Sequence, residues 1–278
     1  MKIGICTNIP DYITDGTAAG AGAVRADTDI INLAAVLGYD YIELPLAPLA
    51  DLDGGAFGRV KRYLEAAPLK CECMNVFFPA KIRLTGDGAD EAVIAGYADR
   101  ALAGAAELGA EIVVFGSGGA RNIPDGFPYD RAYSQLVGAM RIISDAAEKH
   151  GVTIAIEPLN RNETNIIRNV SEAEKLMDAA GRPNIKILMD YYHFMLESDS
   201  VDALRRLAGN GCVAHAHFAD PDGRVYPSGA KPEYGPVFGA LREGGYDVRC
   251  SIEARIVNRD APRAEMEAGL AALRAAGK

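Results

Sequence analysis

Residues 153–193 read TIAIEPLNRNETNIIRNVSEAEKLMDAAGRPNIKILMDYYH, and this stretch decides the fold. Two short apolar runs, Thr153–Glu157 and Ile185–Asp190, have the length and the β-branched content of buried strands. Residues 170–180 between them have the periodicity of an amphipathic helix, and the sequence SEAE beginning at Ser171 matches a capping box. A strand, a helix and a second strand in this order predict two parallel strands joined by a right-handed crossover.

The same unit recurs along the whole chain. Strands are predicted at Lys2–Thr7, Tyr41–Leu44, Lys70–Phe77, Glu111–Phe115, Thr153–Glu157, Ile185–Asp190, Val213–Ala219 and Arg249–Glu253. Helical patterns alternate with them, near residues 26–37, 54–66, 88–108, 129–150, 170–180, 199–208, 233–244 and 261–276. Eight such units predict an α/β protein with a single (β/α)₈ barrel domain over residues 1–278. The alternative is an open doubly wound sheet, which favours a glycine fingerprint that the residues after the first strand lack.

Composition and charge exclude several classes of function. Lys and Arg number 29 against 38 Asp and Glu, so the net charge is −9, which disfavours non-specific nucleic-acid binding. No stretch approaches the ~20 consecutive apolar residues of a membrane span, and the first residues lack the length of a secretory signal. The five cysteines are odd in number and lie mostly in apolar runs, as free thiols of a reducing compartment do. We therefore expect a cytoplasmic protein without nucleic-acid or membrane partners.

Polar residues stand at the ends of the last four predicted strands, where the active site of a (β/α)₈ barrel lies. They are Glu157, Asp190, His217 and Glu253. Because uncompensated buried carboxylates repel one another, three of them at one place indicate a divalent cation. Three oxygen donors and one nitrogen suit Mn²⁺, Mg²⁺ or Co²⁺, and Zn²⁺ also accepts such ligands. His215 is an alternative ligand, since it lies two residues from His217 on the same face of the strand.

The segments IEPLNRNET, MDYYH, HAHFADPDGR and SIEAR resemble the xylose isomerase-like barrel superfamily of sugar (phosphate) isomerases and epimerases. Within it they are most similar to the D-tagatose/D-psicose 3-epimerases and related ketose epimerases, and the order of elements agrees over essentially the whole chain. The resemblance implies one divalent metal ion, Mn²⁺ first among the candidates, held by Glu157, Asp190, His217 and Glu253. It also implies that the two glutamates form the acid/base pair and that the protein is a homodimer or homotetramer.

The resemblance implies three substrate-binding residues as well, Glu163, His193 and Arg224. His193 would hold the substrate oxygen that carries negative charge, and Glu163 would orient His193 or Glu157. Arg224 would bind distal hydroxyls or a phosphate. Glu43, near the end of the second strand, faces the same mouth as either a substrate contact or a structural hydrogen-bond acceptor.

The expected reaction is proton transfer next to the carbonyl of a ketose or sugar phosphate through an enediolate. The metal would act as a Lewis acid while one glutamate removes a proton and the other returns one. An inosose isomerase or dehydratase, or a lyase acting on an oxidised sugar, would use the same metal site. An endonuclease IV-like phosphodiesterase is disfavoured, because it needs three metals and many more histidines than the four present.

The loops after the third and fourth strands each allow two interpretations. The segment GSGGAR, ending in Arg121, is either an anion-binding nest or a flexible loop that needs positive φ angles. With Lys81 and Arg83 it is the one indication of a negatively charged substrate. Phe77 and Phe78, after the third strand, either line the pocket or pack in the core.

Overall fold

Eight parallel strands close into a barrel in the computed structural model, which describes residues 1–16 and 30–277. Each strand pairs with its neighbours in chain order, and the first pairs with the last. The strands are β1 Lys2–Cys6, β2 Tyr41–Pro45, β3 Cys71–Asn75, β4 Ile112–Phe115, β5 Thr153–Ile156, β6 Ile185–Asp190, β7 Val213–Phe218 and β8 Arg249–Ile252. The predicted (β/α)₈ barrel is confirmed, with strand ends one or two residues from those expected in most cases.

Helices connect the strands on the outside of the barrel. They are α1 Asp11–Asp15, α2 Ile30–Leu37, α3 Leu46–Ala50, α4 Gly54–Ala66, α5 Glu91–Glu107, α6 Gly118–Arg121, α7 Tyr129–Lys149, α8 Val170–Ala180, α9 Tyr191–Leu196, α10 Val201–Gly209, α11 Gly235–Glu243 and α12 Arg263–Ala276, with a 3₁₀ turn at Pro232–Tyr234. The short helices α1, α3, α6 and α9 were not predicted, because four to six residues give too little periodicity to recognise. The predicted start of the second helix, residues 26–29, lies outside the described residues.

The start of α8 corrects the predicted capping box. Asn169, rather than Ser171, is the N-cap, and its side chain accepts a hydrogen bond from the backbone N–H of Glu172 at 2.9 Å. Glu174, the expected partner in the box, forms an ion pair with an arginine of α10. The helix itself spans the predicted residues 170–180, but its N-cap lies two residues before Ser171, because Asn caps a helix as well as Ser does.

Alternate strand residues fill the inside of the barrel. The inward-facing apolar cluster consists of Tyr41, Cys73, Ile112, Val114, Ala155 and Leu188. Because side chains alternate along a strand, the residues two positions further on also point inward, at the C-terminal mouth. For the strands that begin at Tyr41, Thr153 and Ile185, these positions are Glu43, Glu157 and Asp190. The period of the strands therefore brings the polar residues together.

Charged residues close the opposite, N-terminal end of the barrel. The Arg249 guanidinium lies 2.6 Å from a Glu72 oxygen and also binds Glu111, so that β8, β3 and β4 are tied together. Lys2 of β1 adds a contact of 2.7 Å to Glu72. These residues lie on the face that contributes stability rather than catalysis in such barrels.

Two further predictions concern buried side chains. Phe77 and Phe78 are buried and pack against Tyr97, with ring centroids of Phe78 and Tyr97 at 5.0 Å, so they belong to the core. All five cysteines lie in the described residues, and none of them forms a disulfide. Within the described residues, none of the helices combines the length and apolar content that crossing a membrane requires.

Candidate metal centre

Four side chains from consecutive strand ends converge at the mouth of the barrel. Glu157 follows β5, Asp190 ends β6, His217 lies in β7 and Glu253 follows β8. Each offers a ligand atom, and these atoms all lie within 4.8 Å of one another. His217 Nδ1 lies 3.3 Å from Glu157 Oε1 and 3.5 Å from Glu253 Oε2. The structure thus brings together the four residues that the sequence predicts as metal ligands.

The electrostatics of this cluster fit a divalent cation. Burial, together with the charges of Glu157 and Glu253, raises the pKa of Asp190 to about 6. Burial raises the pKa of Glu253, but the opposing effect of His217 and Arg224 is larger and lowers this pKa to about 2. Three carboxylates around one imidazole therefore carry excess negative charge, which a bound divalent cation would compensate. Three carboxylate oxygens and one imidazole nitrogen are also donor atoms that divalent metal ions accept.

Glu43 of β2 fixes the orientation of His217. Its Oε1 lies 2.9 Å from His217 Nε2, which leaves His217 Nδ1 to face the carboxylates. Its Oε2 accepts hydrogen bonds from His215 Nε2 at 2.8 Å and from Ser251 Oγ at 2.6 Å. Burial raises the pKa of Glu43, but His217 and His215 lower it well below its usual value, so the carboxylate is ionised. A buried carboxylate behind a histidine is the usual support of a metal-binding imidazole.

The contacts of Glu43 bear on two predictions. Both of its oxygens are engaged in the fully buried interior, which favours the structural acceptor over the substrate contact. His215 is the alternative predicted ligand, but its Nε2 binds Glu43 and it lies outside the group of four converging residues. The physical reason is their mutual pairing: His215 Nε2 and Glu43 Oε2 satisfy each other at 2.8 Å, and His215 lies two residues before His217 along β7.

His193, at the start of α9, directs a hydrogen-bond donor towards the cluster. The backbone N–H of Asn160 donates to His193 Nδ1 at 3.1 Å, so the ring proton resides on Nε2 in the neutral imidazole. His193 Nε2 is buried, has no hydrogen-bond partner among the described residues, and lies 3.8 Å from Asp190 Oδ2. Glu163 accepts a hydrogen bond from Asn160 Nδ2 at 3.1 Å, and so reaches His193 through Asn160 rather than directly as expected.

Arg224 lies against the same cluster. Its Nη2 is 2.5 Å from Glu253 Oε2 and 3.8 Å from Asp190 Oδ2, and its Nη1 is 3.5 Å from Glu163 Oε1. The guanidinium carbon lies 4.9 Å from the centre of the Tyr192 ring, within range of a cation–π contact. Burial lowers the pKa of Arg224, but Glu253 and Asp190 raise it above its ordinary value, so it stays charged.

Two residues of the site were missed in the sequence. Asn75, which ends β3, donates from Nδ2 to Glu253 Oε1 at 3.0 Å. Gly116 follows β4, and a Cβ at this position would lie 2.3 Å from Glu157 Oε2, so the glycine leaves room for the carboxylate. Both positions continue the alternation of inward-facing residues along their strands. This alternation could have predicted that they lie at the site.

The loop after β4 does not bind an anion through Arg121, so that interpretation is wrong. Arg121 is fully buried, and its guanidinium donates to backbone carbonyl oxygens. These acceptors are Phe115 at 3.1 Å, Glu157 at 3.0 Å and Ile167 at 3.2 Å. Lys81 pairs with Asp51, and Arg83 donates to two carbonyls of the same loop. Arg121 and Arg83 therefore hold the loop, and Lys81 forms a surface ion pair with Asp51.

Comparison with known families agrees with this geometry. The family model described as "Xylose isomerase-like TIM barrel" matches residues 31–276. The chain belongs to the xylose isomerase-like TIM barrel family. The predicted resemblance to this family is therefore confirmed.

Several curated proteins are similar to the chain. D-psicose 3-epimerase of Agrobacterium fabrum is 31% identical over 107 residues, which cover 38% of this chain and 37% of that protein. L-ribulose 3-epimerase of Mesorhizobium japonicum is 25% identical over 225 residues, 78% of this chain and 71% of that protein. For D-psicose 3-epimerase, the chain thus spans about two fifths of the relative's length, and other curated relatives match over 47% or 39% of theirs.

Solved structures share the fold. The crystal structure of D-psicose 3-epimerase with D-tagatose from Clostridium cellulolyticum H10 has a TM-score of 0.80. The match covers 100% of both chains at 18% sequence identity. At this identity the likeness shows a common barrel.

Proposed function

We propose that the protein is a divalent-metal-dependent sugar epimerase or isomerase that moves a proton next to a carbonyl. The observation that carries the proposal is the convergence of Glu157, Asp190, His217 and Glu253 within 4.8 Å at the barrel mouth. The likeness to curated ketose 3-epimerases supports a ketose or ketose phosphate as the substrate. It also supports 3-epimerisation ahead of aldose–ketose isomerisation.

The four converging residues would hold the metal ion, with His217 contributing Nδ1. Three carboxylates and one imidazole suit Mn²⁺, Mg²⁺ or Co²⁺ better than metals that prefer thiolates, and Zn²⁺ also accepts this set. Among these, Mn²⁺ is our first choice because of the family resemblance. When bound, the cation would act as a Lewis acid on the substrate carbonyl.

Glu157 and Glu253 are the proposed acid/base pair. The low pKa of Glu253, about 2, keeps it ionised at neutral pH but makes it a weak base, so the proton it removes must be acidified by a bound cation on the neighbouring carbonyl. Asn75 and Arg224 hold its two oxygens, which fixes the direction from which it approaches the substrate. Gly116 leaves the space that Glu157 Oε2 occupies. Each glutamate is thus held in position by the barrel itself.

His193 and Arg224 are the proposed substrate contacts. The Nε2–H of His193 would donate to the substrate oxygen on which negative charge develops, as preorganised donors do in such sites. The resemblance implies that Arg224 binds distal hydroxyls or a phosphate, but because it lies beside Glu253 and Glu163 we propose that it binds a hydroxyl nearer the reacting carbon. Glu163 would hold His193 through Asn160. We retain a cytoplasmic homodimer or homotetramer as a proposal that rests on the family resemblance.

The proposal is tested by proton exchange. The protein is stripped of metal, reloaded with Mn²⁺ or Mg²⁺, and incubated with ketoses and ketose phosphates in D₂O. NMR then detects deuterium on the carbon next to the carbonyl. We expect metal-dependent exchange that falls by about 10²–10⁴-fold in Glu157→Gln and in Glu253→Gln, the range of general acid–base catalysis.

Glu107→Gln is the matched control, because Glu107 forms a surface ion pair with Lys61 on the outside of the barrel. It should exchange deuterium at the wild-type rate. The position of the deuterium separates 3-epimerisation from aldose–ketose isomerisation. If no ketose exchanges, the proposed function fails, and inososes and oxidised sugars become the next substrates to test.

A further inference from the structure

A cavity of about 370 Å³ opens at the mouth of the barrel, between the ends of β1 and β8. Its described walls include Cys6 and Asn8 on one side and Ala254, Arg255 and Arg259 on the other. Its size is within the range of small-molecule sites, roughly 300–1,000 Å³. The cavity is therefore large enough to hold part of a substrate.

The cavity adjoins the metal centre. Cys6, in its wall, has its sulfur within 4.8 Å of ligand atoms of Glu43 and His217. Ala254, also in its wall, directly follows Glu253. The Glu253 side chain is 21% exposed, whereas that of Asp190 is 1% exposed. Of the four converging side chains, the most exposed is therefore that of Glu253, which directly precedes a residue of the cavity wall.

The described walls of the cavity carry two arginines and no carboxylate. Among the described residues, neither Arg255 nor Arg259 takes part in an ion pair. Arg255 makes one side-chain hydrogen bond, from Nη2 to the carbonyl of Gly223 at 3.3 Å, which leaves most of its N–H donors free. Its backbone N–H donates to Arg224 O at 2.8 Å, so the base of the side chain is fixed beside the site.

Arg259 lies on a loop that is anchored to α12. The Glu265 carboxylate accepts hydrogen bonds from the backbone N–H groups of Val257 and Asn258, at 2.8 and 2.7 Å. A turn follows, in which the N–H of Ala261 donates to the carbonyl of Asn258 at 3.2 Å. Hydrogen bonds therefore fix the backbone of the turn that carries Arg259.

We propose that this cavity binds an anionic group, a phosphate or a carboxylate, at the end of the substrate remote from the carbonyl. The inference rests on the proposed function, since it names the substrate class of the same site. Guanidinium groups bind phosphate and carboxylate oxygens through paired, charge-assisted hydrogen bonds. In a chain of net charge −9, with three carboxylates at the metal centre, an anionic substrate needs such a local positive site.

The test compares matched probes on the Mn²⁺-loaded protein. Isothermal calorimetry gives the affinities for fructose, fructose 6-phosphate and fructuronate, which differ in the group on the last carbon. Deuterium exchange gives kcat/KM for the same three. The wild type should prefer one or both anionic probes over fructose, and which of them it prefers distinguishes phosphate from carboxylate. In Arg255→Gln and in Arg259→Gln, this preference should fall by about tenfold or more for each lost charged contact.

Arg263→Gln is the matched control. It removes the same charge four residues beyond Arg259, from a side chain that pairs with Glu267 on the surface of α12. Its preference for anionic probes should equal that of the wild type. If all three variants lost the preference equally, the effect would come from net charge, and the assignment of the cavity would be wrong.

Two other results would overturn the inference. One is equal or tighter binding of fructose by the wild type, which would mean that the cavity accepts a neutral group. The other is a preference for anionic probes that persists in both arginine variants, which would place the anion elsewhere. Failure of the proposed function has a separate signature: none of the probes exchanges deuterium, while calorimetry still decides whether the cavity selects anions.

Discussion

Replacement of Glu43 by glutamine removes a charge from the barrel interior while its shape is kept. The carboxylate accepts hydrogen bonds from His217 Nε2 at 2.9 Å, His215 Nε2 at 2.8 Å and Ser251 Oγ at 2.6 Å. Glutamine offers one oxygen and one NH₂ group, so one of these donors must meet another donor. If the NH₂ group of the glutamine faces His217, then His217 Nε2 must accept the hydrogen bond, and the proton of the His217 ring moves to Nδ1. That nitrogen is the one that faces Glu157 and Glu253.

The magnitude follows from the part that Glu43 plays. Loss of the carboxylate behind a metal-binding histidine weakens metal binding by about 10–100-fold, or about 1.4–2.7 kcal/mol. The free energy of unfolding should also fall, by about 1–3 kcal/mol, because a fully buried charged hydrogen bond is replaced by a neutral one. Glu43→Ala should cost more, since His215 and His217 would both be left without their acceptor.

Two measurements separate these effects. Calorimetric titration with Mn²⁺ gives the metal affinity, and urea denaturation in the presence of a chelator gives the stability of the metal-free protein. Glu72→Gln is the control for metal affinity, because it removes one carboxylate from the opposite end of the barrel. A Glu43→Gln protein that remains folded and binds Mn²⁺ as tightly as the wild type would refute the positioning role of Glu43.

Three more outcomes follow from the geometry. The pKa of Asp190 is raised to about 6, and the pKa of His217, which burial lowers, is raised above its usual value by Glu43 and Glu253. Since both ligands must lose their protons, Mn²⁺ affinity should rise with pH between about 5 and 8, with proton release that calorimetry in different buffers detects. Arg121→Met should lower the free energy of unfolding by about 3 kcal/mol or more, measured by urea denaturation, because buried carbonyls lose their donor. Gly116→Ala should reduce deuterium exchange about 10²-fold with an unchanged circular dichroism spectrum, because the new methyl group displaces a Glu157 oxygen.

The fold and the converging ligands could be predicted because they depend on local periodicity. A strand of period two places Glu157 or Asp190 at the mouth whatever the rest of the chain does. The choice between the two predicted roles of Glu43 could not be made from the sequence, because it depends on which side chains of β2 and β7 meet across the barrel. Which side chains meet depends on the stagger of the strands around the barrel, and this stagger cannot be read from the sequence of one strand.

Arg121 shows a second limit of sequence interpretation. An arginine at the end of a glycine-rich loop has the composition of an anion site, yet its guanidinium is surrounded by backbone carbonyls that no side-chain pattern reveals. Arg255 is the opposite case. It stands in the quoted SIEAR segment without any distinguishing neighbour, and only the cavity beside it shows what it could contact.

Different parts of the barrel supply different functions of the site. Glu43 on β2 sets the orientation of a ligand, the strand ends of β5 to β8 supply the reactive groups, and Arg255 lies in the cavity between β8 and β1. Among residues 1–16 and 30–277, Glu43 and Arg255 share no hydrogen-bond partner. Changes at these two positions should therefore add, to within about 0.5 kcal/mol, in their effects on metal affinity and on probe selectivity. A larger interaction energy in the double variant would mean that metal binding and substrate selection are coupled through the ligands themselves.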